Sequence, residues 1–185
     1  MNGWRRRGDR LVATVDRQEA AILRGLVGQI LDMLETRAAE APEDELAELT
    51  GIRVGPPTAP EDPILSRLLP DFHRLDRASP TKQDRDSAAA LRSLHEPTLL
   101  DTKTGAAAAV LVTCPPDGGT IRLTSDQAEE WLAALNDVRL ALGTALDLTE
   151  DMPDELPEDD PRSTHLSVYH WLTWVQESLV AVVSA

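Results

Sequence analysis

Apolar residues recur along this chain at two different periods, and the switches between them outline the fold. Residues 10–15, "RLVATV", and 119–124, "GTIRLT", are β-branched and partly alternating, and the second follows the turn signal "PPDGG". Both run into strong helical patterns, so they read as two short strands that pair and hold the starts of those helices together. "WRRRGDR" offers a third strand, turning back through Gly8-Asp9.

The period then becomes helical. Asp16 is an N-cap with Glu19 three residues on, a capping box of the Asp type. Ile22, Leu23, Leu26, Val27, Ile30, Met33 and Leu34 fall on one broad face. Gly25 and Gly28 lie opposite. A mid-helix glycine costs about 1 kcal/mol relative to alanine, so the pair suggests close approach by another backbone. "PEDELAEL" reads as a short helix, "GIRVGPPTAPEDP" as an extended linker, and "DPILSRLL" as a second short helix capped by Asp62. Residues 84–113 are helical, with a kink at Pro97 and a loose point at Gly105. Residues 125–148 are capped by Thr124 or Ser125, and residues 164–183 form the last helix. The fold class is mainly α: a helical bundle of about four long helices plus short ones, with a small two- or three-stranded β element formed by the N-terminal segment and residues 119–124. Residues 1–185 read as one helical domain, with 51–62 and 150–163 as exposed loops.

Composition supports this picture. Aromatics make up 3% of the 185 residues, so Leu, Val, Ala and Ile must build the core, a mixture that favours helices. The net charge of −14 repels phosphate backbones, which sets aside nucleic acid as the main partner. One cysteine, Cys114, excludes an internal disulfide and fits a reducing compartment. No apolar run reaches a membrane span and no targeting segment follows the N-terminal arginines, so a cytoplasmic protein without a membrane role is expected.

The most informative polar position is Arg139. Ala128, Trp131, Leu132, Leu135, Leu142 and Leu146 form one stripe at helical spacing, and Arg139 projects into its middle with Asn136 one turn before. A charge removed from water must be paired, so a carboxylate is expected among Asp71, Asp62 and Asp101. Asn136, Arg139 and Asp71 are thus a candidate anion or ion-pair site, read either as a ligand site or as a buried structural pair. In "LLPDFHR", Asp71 and His73 could act as an acid–base pair, but no nucleophile stands near, and an anchoring role for Phe72 weighs more. His73, His95, His165 and His170 are not spaced as metal ligands, and no phosphate-binding or nucleophile-elbow motif occurs. No catalytic residue, metal or cofactor is therefore assigned.

The stretch "HLSVYHWLTWVQ" holds three of the six aromatic residues. Val168, Leu172, Val175, Leu179 and Val182 form its core stripe, with Trp171 at the edge. Trp174 and His170 fall off the stripe, four residues apart. They must be covered by the chain itself, by a partner protein or by a second copy in a homodimer.

"ELTGI", "DPILSRLLPDFHR", "LNDVRLALGTALDL" followed by "TED", and the terminal "YHWLTWVQESLV" together resemble an actinobacterial family of about this length, catalogued as a domain of unknown function. The resemblance spans nearly the whole chain. That family's genes commonly lie beside the gene of the Clp-protease adaptor that recognises N-terminal degradation signals, which implies a protein partner in the Clp system. It brings no catalytic residues, and the acid usual after the tyrosine is His170 here. The sequence thus points to a non-enzymatic protein-interaction or regulatory factor. A small-molecule or anion-binding module centred on Arg139 is the alternative.

Overall fold

The computed structural model describes residues 1–42, 53–72, 81–149, 153, 155–157 and 159–185. The short helix expected in "PEDELAEL" and the side chain of His73 lie outside the described residues. Strands β1 (Asn2–Arg7), β2 (Arg10–Val15) and β3 (Gly119–Leu123) form an antiparallel sheet in the order β1-β2-β3. The long helices are α1 (Arg17–Ala39), α3 (Lys82–Thr113), α4 (Ser125–Ala145) and α5 (Ser163–Val183), with a short α2 (Pro63–Leu68). The fold is thus the mainly helical bundle with a small sheet that the patterning predicts.

Local chemistry sets the helix starts. Asp16 accepts from the Glu19 amide at 2.8 Å while Glu19 accepts from the Asp16 amide, and the same reciprocal box opens α3 through Thr81 and Asp84. Thr124 and Gln127 open α4 in the same way, and the Asp62 carboxylate accepts from the Leu65 amide at the start of α2. Each box satisfies amides that have no partner within the helix.

One face of the sheet is core. Trp4, Leu11, Ala13, Val15, Ile121 and Leu123 are buried beneath it. Trp4 meets Trp131 of α4 edge to face at 5.3 Å, and the Trp131 indole N–H donates to the Thr113 hydroxyl at 2.7 Å. Around this centre α1 packs on α3, α3 on α4, α4 on α5, α2 on α4, and α5 against β1.

Three expectations need correction. The strands do pair, but Val15 faces Gly119 and Leu11 faces Leu123, so α1 and α4 leave from opposite ends of the pair. What abuts the start of α1 is Gly118, whose φ is +79° and where an added Cβ would stand 2.7 Å from the Arg17 nitrogen. Gly25 and Gly28 have no close neighbour among the described residues: a Cβ on either would meet none of them within 4 Å. The close approach is at Gly55 instead. α3 runs on through Pro97, and the Ser93 carbonyl that Pro97 cannot serve accepts from the Gly55 amide at 2.8 Å. The Pro97 ring lies about where a side chain on residue 55 would go, 3.1 Å from an ideal Cβ. Gly55 and Pro56 are accordingly buried, so the stretch 51–62 is not exposed throughout.

Candidate functional site

Arg139 projects from α4 toward α5, as its position in the stripe requires, but its partners are neutral. Its Nε donates to the Thr173 hydroxyl at 3.0 Å and Nη1 to the Gln176 carbonyl oxygen at 2.7 Å, while Nη2 reaches the Tyr169 hydroxyl at 3.5 Å. The guanidinium also lies 5.4 Å from the Tyr169 ring centre. Among the described residues no carboxylate pairs with it, and each candidate is engaged elsewhere: Asp71 by Arg92, Asp101 by Arg53, and Asp62 by the cap of α2. Asn136 is exposed. The predicted trio of Asn136, Arg139 and Asp71 is therefore not assembled. Arg139 is only half-buried, so neutral hydrogen bonds, the aromatic face and water together can carry its charge. It lines an open depression of about 400 Å³ with Arg67, Gly143, Thr144, Asp147 and Tyr169.

Burial of charge occurs in a place that sequence reasoning missed. Glu96 of α3 is fully buried between two guanidiniums, accepting from Arg37 Nε at 2.7 Å and from Arg92 Nη1 at 2.5 Å. Arg37 also reaches Glu40 and the Thr58 carbonyl, and Arg92 reaches Asp71 at 2.6 Å and the Phe72 ring. Burial disfavours the charge on Arg37, but its bonds to Glu96 and Glu40 outweigh that and hold its pKa above the ordinary range. Arg37 and Arg92 each donate to three acceptors, so the cluster ties α1, α3 and the segments flanking α2 together. A sequence signal existed: Arg92 and Glu96 are in phase with Leu100, Ala107 and Val110 on the buried side of α3. Asp71 and Phe72 thus anchor this region, the role favoured for "LLPDFHR".

A second buried acid, Asp137 of α4, accepts from Lys103 of α3 at 2.5 Å. Burial pushes its pKa up, and Lys103 offsets only part of that. Cys114 is buried at the end of α3, and burial raises its thiol pKa despite the charge of Arg24 nearby. Among the described residues no group of three or more His, Cys, Asp or Glu side chains is placed to hold a metal ion, and no helix is long and apolar enough to cross a membrane.

On α5, Leu172, Val175 and Leu179 are buried as the stripe requires, and Trp171 is partly buried against the core. Trp174 is 43% exposed. Its ring lies over Gly3 of β1 and borders a shallow depression lined by Met1, Asn2, Gly3, Trp4 and Arg5. The chain thus covers one side of this indole and leaves the other open. His170 is exposed and stands edge-on to Tyr169 at 5.8 Å. It borders a different hollow, with Glu155, Leu156 and Leu166, so the two off-stripe residues do not share one patch.

Comparison with known proteins agrees with the resemblance drawn from the motifs. The chain is 45% identical over 183 residues, 96% of its length and 84% of the relative's, to the protein named Oxidative stress regulator AosR in Mycobacterium tuberculosis (strain ATCC 25618 / H37Rv) and to its namesake in Mycobacterium bovis. It is 44% identical over 191 residues, 98% of this chain and 88% of the relative, to the Putative oxidative stress regulator AosR of Mycobacterium leprae. No solved structure matches it significantly. The domain of unknown function DUF2017 matches residues 1–183, and the chain belongs to that family.

Proposed function

We propose that this chain is a non-enzymatic regulatory protein of the cytoplasm that acts by binding another protein through the face carrying Trp174. The observation behind this reading is the half-exposed indole over β1, a large amphipathic side chain of the kind that dominates binding energy at interfaces. The names of the mycobacterial relatives support a regulatory role connected with oxidative stress. In this chain such a role does not run through its own thiol chemistry. The one cysteine is buried and its pKa is raised, whereas oxidation requires an accessible thiolate. The response would lie in which partner is bound, and Clp components are among the partners to look for. Nucleic acid and membrane surfaces are set aside on the charge and helix patterns, and a homodimer through the same face is the other form the binding could take.

Tagged wild-type and Trp174→Ala proteins, each checked for fold by circular dichroism, would be used for quantitative affinity capture before and after peroxide treatment. A partner held by wild type and lost by the variant is expected. Equal recovery of the same proteins by both would sink the reading. The depression beside Arg139 favours a second reading as an anion-binding module, because it brings together two guanidiniums, Arg139 and Arg67, that form no ion pair among the described residues. Calorimetric titration with phosphate and citrate tests it, and absence of heat with both ends it.

A further inference from the structure

The outer face of the sheet carries a charge opposite to that of the protein. Strand alternation turns Arg5 and Arg7 of β1, Arg10, Val12 and Thr14 of β2, and Thr120 and Arg122 of β3 to the same side, around a depression of about 230 Å³. None of these residues is acidic. Among the described residues the four arginines form one ion pair, Arg10 with Asp9 of the β1–β2 turn at 3.6 Å, and Asp9 is itself well exposed. Arg7 stands directly opposite Arg10, and like charges facing across an antiparallel pair destabilise it. Elsewhere Arg37, Arg53, Arg92, Lys103 and Arg162 are each paired with an acid. A chain of net charge −14 thus leaves a cluster of four arginines together on a rigid platform with a buried underside.

We propose that this face docks an extended, acidic segment of a partner protein. The inference rests on the protein-binding reading above and specifies the chemistry of the partner. Arg5 lines both this depression and the one beside Trp174, so the two surfaces are continuous. An extended strand presents alternate side chains on one side, a spacing that matches Arg5 and Arg7. Carboxylates on that side meet the guanidiniums, and an apolar residue at the end of the segment reaches the open side of Trp174. Three strands at ~4.8 Å spacing and ~3.4 Å per residue make the platform roughly 10 by 17 Å. That suits about four charges. A nucleic-acid duplex would bring a far longer line of charge within about one Debye length, ~8 Å, of the acidic body.

The test is fluorescence anisotropy of the full chain with a labelled peptide of alternating glutamate and valine, about nine residues long. A lysine–valine peptide and a short DNA duplex serve as comparison probes. The glutamate peptide binds, binding weakens about tenfold or more in high salt, and the double variant Arg7→Gln/Arg122→Gln loses about tenfold or more in affinity with its circular dichroism unchanged. No binding of the glutamate peptide, or equal binding by the double variant, overturns the proposal. Tighter binding of the duplex overturns the choice of partner. So does self-association in sedimentation that depends on Arg7 and Arg122, which would make the occupant a second copy through its acidic residues 150–160. If the double variant still captures a Trp174-dependent partner, the protein-binding reading stands and only the assignment of this face falls.

Discussion

Replacing Glu96 by glutamine is the most severe single-atom test of the core. The carboxylate is fully buried and accepts from two guanidiniums, on Arg37 and Arg92, that are 3% and 4% exposed. Glutamine keeps the shape but offers one acceptor oxygen, and its amide nitrogen then points a donor at a donor. One charge-assisted bond becomes neutral and the other becomes a repulsive contact. A hydrogen bond to a charged group contributes about 1.5–3 kcal/mol, and a neutral one about 0.5–1.5. Two positive charges also lose the acid that lies between them. Breaking a buried pair by removing one partner costs about 3–5 kcal/mol, and the exposed outer acids Glu40 and Asp71 cannot replace Glu96 from the rim. Urea unfolding followed by circular dichroism would read this directly. For a chain of this size the same loss lowers Tm by roughly 6–20 °C. Replacing Arg37, Glu96 and Arg92 together by apolar residues of similar volume should recover a large share, because the desolvation of three charges disappears with them. A loss below about 1 kcal/mol for Glu96→Gln would refute the reasoning, since it would mean that water reaches the cluster.

Asp137 should give stability an unusual dependence on pH. Its folded pKa lies above the ordinary 3.8 because burial penalises the charge. As pH falls through the raised value, the native state takes up the proton first, so this group's contribution rises until the unfolded carboxyl titrates near 3.8 and is constant below that. Asp137→Asn should remove this component from urea midpoints measured across that interval, and an unchanged slope would show that the carboxyl is not responsible. Gly25→Ala and Gly28→Ala should each stabilise by up to about 1 kcal/mol, since no described residue obstructs the new methyl. Gly118→Ala should cost roughly 2 kcal/mol or more, because φ is +79° and the methyl meets the backbone of Asp16 and Arg17; thermal unfolding of the three variants checks both signs. Cys114 should react with a thiol reagent only as fast as the protein opens, so labelling that outpaces unfolding would contradict its burial.

Most of the architecture was legible because helix caps and strand alternation are local. Asp16 with Glu19, the Thr124-Ser125 pair, and Asp62 before Pro63 mark their helices within four residues of sequence. What escaped depended on contacts distant in sequence. The helical period places Arg139 in an apolar stripe, but Thr173 and Gln176 lie on the facing helix, 34 and 37 residues away. Only the register of α4 against α5 shows that they replace an acid. Glu96 escaped because its surroundings in "LHEPT" look polar and mask its phase with Leu100 and Ala107, and its second cation, Arg37, comes from α1, 59 residues distant. Gly25 and Gly28 differ from expectation for a related reason. A helical glycine marks a place where a close contact is allowed, and the contact was made at Gly55, in a stretch that reads as linker.

That contact makes the segment around Gly55 a splint on α3. Its amide completes the hydrogen bonding of the helix at the turn where proline cannot, and the next residue before Pro97 is Glu96. A pull on this segment therefore reaches the central charge of the core through one hydrogen bond and one ring contact. The hydrogen-exchange protection of a single amide, that of Gly55, reports whether the middle of the longest helix is whole.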